Sequence, residues 1–150
     1  MKRFICIIAV MLMCVSMFGC GSSSGQKSRN EQSAAILSGD VDVDLTVLSS
    51  TMVYSEVYNM MSYPENYLGK SVRMRGTFTY EEANDRYYLA CIITDATACC
   101  SQGLEFVLKD ERKFPDDYPA KGTEITVVGI FDTYTEGTRL YAQLIDAVME

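Results

Sequence analysis

Three cysteines in the second half of the chain, Cys91, Cys99 and Cys100, with Asp95 among them, are the residues best suited to chemistry. Three thiolates and a carboxylate can close a tetrahedral zinc or copper site if the segment 94–103 folds back as a hairpin. The same approach makes a structural disulfide, Cys91 with Cys99 or Cys91 with Cys100, in an oxidising compartment. The remaining outcome is three packed thiols that behave as small hydrophobes. The disulfide is the expectation and metal ligation by Cys91, Cys99, Cys100 and Asp95 is the alternative. Histidine is absent from the 150 residues, so Ser-His-Asp and Cys-His mechanisms are excluded. Glu81–Glu82 and Asp116–Asp117 are adjacent acids, and sequence neighbours in a strand or turn do not converge on one substrate. No catalytic residue is expected, and the chain does not read as an enzyme.

A second candidate is the polar side of one strand, where Arg73 and Arg75 sit beside Ser71, Thr77 and Thr79. Tyr87, on the strand that follows, is expected to add an aromatic platform to this ligand face. The formal net charge of −7 argues against nucleic acid, whose phosphates call for a basic field.

The chain's beginning gives an address. Lys2 and Arg3 precede a nearly uninterrupted apolar run over residues 4–18, too short to span a bilayer and suited to the core of a secretory signal. The run ends in Met17-Phe18-Gly19-Cys20, followed by Gly21-Ser22-Ser23-Ser24-Gly25. This resembles the lipobox of bacterial lipoproteins, with Met17 in place of the usual Leu and a bulky Phe18. The resemblance implies a signal peptide over 1–19, lipidation of Cys20 with several acyl chains such as palmitate, and attachment to the outer side of the cell membrane. Residues 20–48, rich in Ser, Gly, Gln and charge, then read as a flexible tether. Processing would remove Lys2, Arg3, Cys6 and Cys14, leaving 11 basic residues against 20 acidic ones. With lipid on Cys20, three thiols remain, an odd number.

The elements that position these residues follow from periodicity. Asp40, Asp42 and Asp44 mimic a calcium loop, but Leu45 and Thr51 stand where an EF-hand needs Gly and Glu, so a short alternating segment is expected instead. Ser49, Ser50 and Thr51 offer N-caps for a helix ending near Ser62, with Val53, Val57, Met60 and Met61 on one face and Pro64 as its stop. From Gly69 the period becomes two. Val72, Met74, Gly76, Phe78 and Tyr80 alternate with polar residues over 70–80, and Gly76 marks a bend. Further strands are expected over 86–94, 104–109, 124–132 and 139–148, with a connection over 110–122 that has room for a helical turn. Five strands, the first bent at a glycine, predict a mainly β domain over 49–150: a five-stranded OB-like barrel preceded by a short helix.

Two segments carry a resemblance to a family. The stretch 64–76 (PENYLGKSVRMRG) is similar to the lead-in of the first strand in bacterial OB-fold domains. The stretch 95–106 (DATACCSQGLEF) resembles a segment of uncharacterised OB-fold lipoproteins of Gram-positive bacteria. There is also a fainter likeness to extracytoplasmic parts of permease-associated proteins linked with metal supply. The resemblances imply fold and address, and the leading expectation for function is a non-catalytic, membrane-tethered binding or accessory protein beside a transporter or surface complex. Zinc or copper handling is the alternative.

Overall fold

The structure, a computed structural model, describes residues 40–150. The expected signal peptide, Cys20 and the tether up to residue 39 lie outside the described residues. Six strands, β1 (Val43–Asp44), β2 (Ser71–Ala83), β3 (Arg86–Thr94), β4 (Ser101–Leu108), β5 (Glu124–Glu136) and β6 (Arg139–Met149), and one helix, α1 (Ser50–Ser62), make up the fold. The mainly β expectation holds. The sheet runs β1-β2-β3-β4-β6-β5, and β5 also pairs with β2, so the strands form a partial ring. All pairings are antiparallel except β1 with β2 and β4 with β6.

The ring depends on β2 serving two neighbours. Its first half, Ser71 to Thr77, pairs with β5, and its second half, Thr77 to Ala83, pairs with β3. Gly76 sits at this handover. A Cβ there would lie 2.4 Å from the Ile92 carbonyl oxygen and 2.9 Å from Cys91 Sγ, so only glycine lets the strands approach. The expected bend is thus a change of pairing partner, and the register of β2 has no bulge at this point. The β2–β3 turn places Asn84 and Asp85 at φ 54° and 57°, the left-handed pair that matches the twist of a two-residue hairpin.

Period two in β2 buries Val72, Met74 and Phe78 completely. Across the ring they meet Cys91, Leu104, Phe106, Val127, Phe131 and Leu144 in one core. Helix α1 adds Val57 and Met60, both fully buried; Val53 packs at the margin, whereas Met61, expected on the same face, is 41% exposed. The helix stops at Ser62, and Pro64 opens a 3-10 turn, as the proline signal predicts.

The folded unit starts before the expected boundary at residue 49. β1 pairs in parallel with the start of β2, and Leu45 is buried in the core. The Asp40–Asp44 alternation has a structural purpose. Asp42 Oδ2 accepts from the Ser71 amide (2.8 Å) and hydroxyl (2.7 Å), which lets Ser71 be fully buried. Asp44 Oδ1 accepts from the Thr46 amide (2.9 Å) and hydroxyl (2.6 Å), and its Oδ2 lies 3.4 Å from Arg73 Nη1. Burial pushes the Asp44 carboxyl up, but the Thr46 hydrogen bonds and the Arg73 charge together outweigh it and hold the group below its usual value.

The connection 110–122 holds one helical turn, closed by the Asp117 amide on the Lys113 carbonyl at 2.9 Å, and no longer helix. Its Phe114 and Tyr118 pack on Tyr80, Tyr87 and Phe78 at one end of β3. The helix lies toward the other end, where Val53 lines one concavity with Ile93 and Met61 lines another with Gly103.

Candidate functional site

The expected ligand face is not assembled. In the β2–β3 register, Phe78 faces Cys91, Tyr80 faces Leu89 and Glu82 faces Tyr87, so Tyr87 belongs to the inward phase. Arg73 and Arg75 belong to the opposite phase. Tyr87 stacks on Phe114 at 3.9 Å between ring centroids and meets Tyr80 edge-on. Arg73 is engaged by Asp44. Arg75 remains exposed on that side with Thr77, and the two line a concavity of about 350 Å³ with Thr94 and Glu124.

The cysteines divide into two environments. Cys91 points inward from β3, opposite Phe78 and Leu104, and is completely buried. Burial pushes its thiol pKa up to about 12, so it is a neutral packing group. Cys99 and Cys100 are exposed in the connection after the Thr94–Ser101 pair closes the β3–β4 ladder. Three residues of strand, about 10 Å, separate Cys91 from that closure. The hairpin folds on itself rather than back along β3, so Cys91 bonds to neither partner and all three thiols are free. The expected disulfide is absent from the structure, and the three-cysteine ligand set is not brought together.

What the loop does bring together is Asp95, Cys99 and Cys100, whose ligand atoms lie within 4.8 Å of one another. Asp95 organises the turn. Its Oδ1 accepts from the Cys99 amide at 2.9 Å, and its own amide donates to the Cys100 carbonyl at 2.9 Å. Thr97 Oγ1 stands 3.0 Å from Asp95 Oδ2, and Cys99 Sγ donates to that oxygen at 3.2 Å. The two sulfurs are 3.6 Å apart. The Cys99 hydrogen bond, with those from Thr97 and the loop amides, holds the Asp95 carboxyl below its usual value. The Cys100 thiol is pushed up, first by its contact with Cys99 and then by burial and the Asp95 charge.

The outer face of the sheet carries a site that strand periodicity alone did not reveal. The pairs Glu81 with Tyr88, Ala90 with Glu105, Glu105 with Gln143 and Tyr134 with Tyr141 share the outward phase. All of them but Gln143 line a groove of about 360 Å³ between the β2–β3 and β5–β6 hairpins, together with Ile92. Tyr134 and Tyr141 stack at 5.2 Å, and Tyr88 carries the Arg86 guanidinium 4.2 Å from its ring centre. Two carboxylates fix the rings. Glu105 Oε2 accepts from the Tyr134 hydroxyl at 2.7 Å, and Glu136 Oε1 accepts from the Tyr88 hydroxyl at 3.0 Å. Burial, then the Glu105 hydrogen bond and charge, raise the Tyr134 phenol far above its usual value, so it stays a donor.

Glu105 and Tyr141 also line a second concavity of about 310 Å³, with Met61, Pro64, Leu140 and Ala142. It opens where β4 and β6, paired only from Glu105 and Gln143 onward, diverge. The two concavities share Glu105 and Tyr141, and each is in the size range of small-ligand sites.

The adjacent acids serve local structure on the 113–117 side. Asp117 Oδ2 accepts from the Lys113 amide at 2.9 Å, and Asp116 pairs with the Lys113 ammonium at 2.8 Å. Among the described residues no helix is long and apolar enough to cross a membrane. Comparison of the chain with protein-family models, curated proteins and solved structures finds no match.

Proposed function

We propose that the chain is a non-catalytic, lipid-anchored binding protein on the outer side of the cell membrane, with an OB-like barrel that takes an oligosaccharide in its tyrosine groove. The barrel reading is supported by the strand order, the parallel β4–β6 pair and the double pairing of β2. In folds of that kind, ligands lie across this outer face between two hairpins. The anchor rests on the resemblance around Cys20.

The observation that carries the ligand class is the union of three outward tyrosines, Tyr88, Tyr134 and Tyr141, with Glu81, Glu105 and Glu136 in one groove. Ring faces are electron-rich and take the weakly positive C–H faces of a sugar. Carboxylates accept hydrogen bonds from its hydroxyls. The same carboxylates repel a phosphate backbone, which removes nucleic acid. A basic peptide is the competing occupant.

Pull-down on purified cell-wall glycan, in parallel with a lysine-rich peptide, tests the reading. Glycan retention that falls about tenfold in Tyr88→Ala and in Tyr141→Ala, with no retention on the peptide, supports it. Retention on the peptide alone, lost in Glu105→Gln, replaces the oligosaccharide with a cationic partner. The anchor, the fold and accessory action beside a transporter or surface complex do not depend on that outcome.

A further inference from the structure

The Asp95–Cys99–Cys100 loop lies outside the tyrosine groove, and its donor geometry leads to a separate conclusion. A tetrahedral ion with metal–sulfur bonds of ~2.3 Å sets its two sulfurs about 3.8 Å apart, and with a metal–oxygen bond of ~2.1 Å it sets sulfur and oxygen about 3.6 Å apart. In the loop the sulfurs are 3.6 Å apart, and Cys99 Sγ is 3.2 Å from Asp95 Oδ2. Two edges of a tetrahedral face are therefore nearly in place before any ion arrives, and the third, from Cys100 to Asp95, spans no more than 4.8 Å. We infer that Asp95, Cys99 and Cys100 form a three-donor site for one zinc ion, with the fourth position open to solvent.

The donor set selects the ion. Two thiolates favour a thiophilic metal, while a carboxylate as third donor favours zinc over monovalent copper. The hydrogen bonds to Asp95 from Thr97 and from the Cys99 amide aim the carboxylate, as supporting contacts do for metal ligands. Binding replaces the Cys99 thiol hydrogen bond to Asp95 with metal–ligand bonds, and the two thiol protons leave to the buffer. Cys91 takes no part, because it is buried in the core on the inward side of β3. An exposed site with an open position suits an ion that is passed on, not one that holds a fold together.

The test uses the full chain in mild detergent, with Cys6, Cys14 and Cys20 replaced by serine so that only the three described thiols remain. Cobalt(II) titration reports thiolate ligation by its charge-transfer band and tetrahedral geometry by its visible bands, and zinc competition gives the affinity. One cobalt per chain is expected, displaced by zinc. Cys99→Ser or Cys100→Ser should each weaken binding about a hundredfold, Asp95→Asn about tenfold, and Cys91→Ala not at all. As a second readout that needs no core substitution, zinc should protect Cys99 and Cys100 from iodoacetamide. Absence of a charge-transfer band, alkylation unchanged by zinc, or binding unaffected by Cys99→Ser would each overturn the inference.

Discussion

Replacing Gly76 by alanine tests the way β2 is shared between β5 and β3. The added Cβ would stand 2.4 Å from the Ile92 carbonyl oxygen, 2.9 Å from Cys91 Sγ and 3.0 Å from the Ile92 carbonyl carbon. A carbon meets a carbonyl oxygen comfortably at about 3.3 Å, so the two strands must part by nearly 1 Å. Two of the three contacts are backbone atoms of a strand paired on both sides, and they have no rotamer to escape into. The cost therefore belongs at the top of the overpacking range, about 3 kcal/mol. With a urea m-value of about 1.5 kcal/mol/M for a domain of this size, the unfolding midpoint of residues 40–150 should fall by about 2 M. Adding Cys91→Ala removes the sulfur contact and leaves the Ile92 carbonyl, so the double-mutant coupling should stay below about 1 kcal/mol. A midpoint within about 0.3 M of the parent would refute the claim that the strands touch at Gly76.

Thiol labelling of the same fragment should modify Cys99 and Cys100 quickly and Cys91 only on unfolding, because Cys91 is buried with a pKa near 12; three equally fast thiols would contradict this. Asp44 has a folded-state pKa below its unfolded one, so its contribution to stability is complete above about pH 4 and is lost as pH falls through the folded value. Asp44→Asn should flatten stability against pH in that acid window, measured by urea midpoints, and a profile parallel to the parent's would show the Thr46 and Arg73 contacts to be idle. Cys20→Ala should abolish lipid labelling and release the chain from the membrane fraction, whereas retention of the variant would favour an uncleaved anchor.

The core strands were legible because one buried face per strand leaves a period of two. Val72, Met74 and Phe78 announced β2, and the 86–94 stretch read as a further strand, which the structure pairs on both sides. Gly76 was legible as a special position, although its reason, the close approach to Cys91 and Ile92, depends on how β3 pairs back on β2. The Asp42 and Asp44 clasps were hidden because they join residues 29 positions apart in a parallel pair. The tyrosine groove was hidden for a similar reason. Tyr88, Tyr134 and Tyr141 are outward residues of three strands, and only the parallel meeting of β4 with β6 sets them round one hollow. Period two also undid the expected Arg73–Arg75–Tyr87 face: an odd or even place in the β2–β3 register decides which side a residue takes. The cysteine pairing failed for want of a distance, since spacing alone does not say that residues 95–100 close on themselves.

The proposed function stands or falls with a sugar in the outward groove. It is tested most directly by recording methyl and aromatic NMR spectra of residues 40–150 during titration with a soluble cell-wall oligosaccharide. A bound sugar should give saturable shifts concentrated on Tyr88, Ile92, Tyr134 and Tyr141, with Tyr87, Phe114 and Tyr118 in the separate aromatic cluster unmoved. Shifts confined to the aromatic cluster around Phe114, or no saturable shift in the groove, would contradict it.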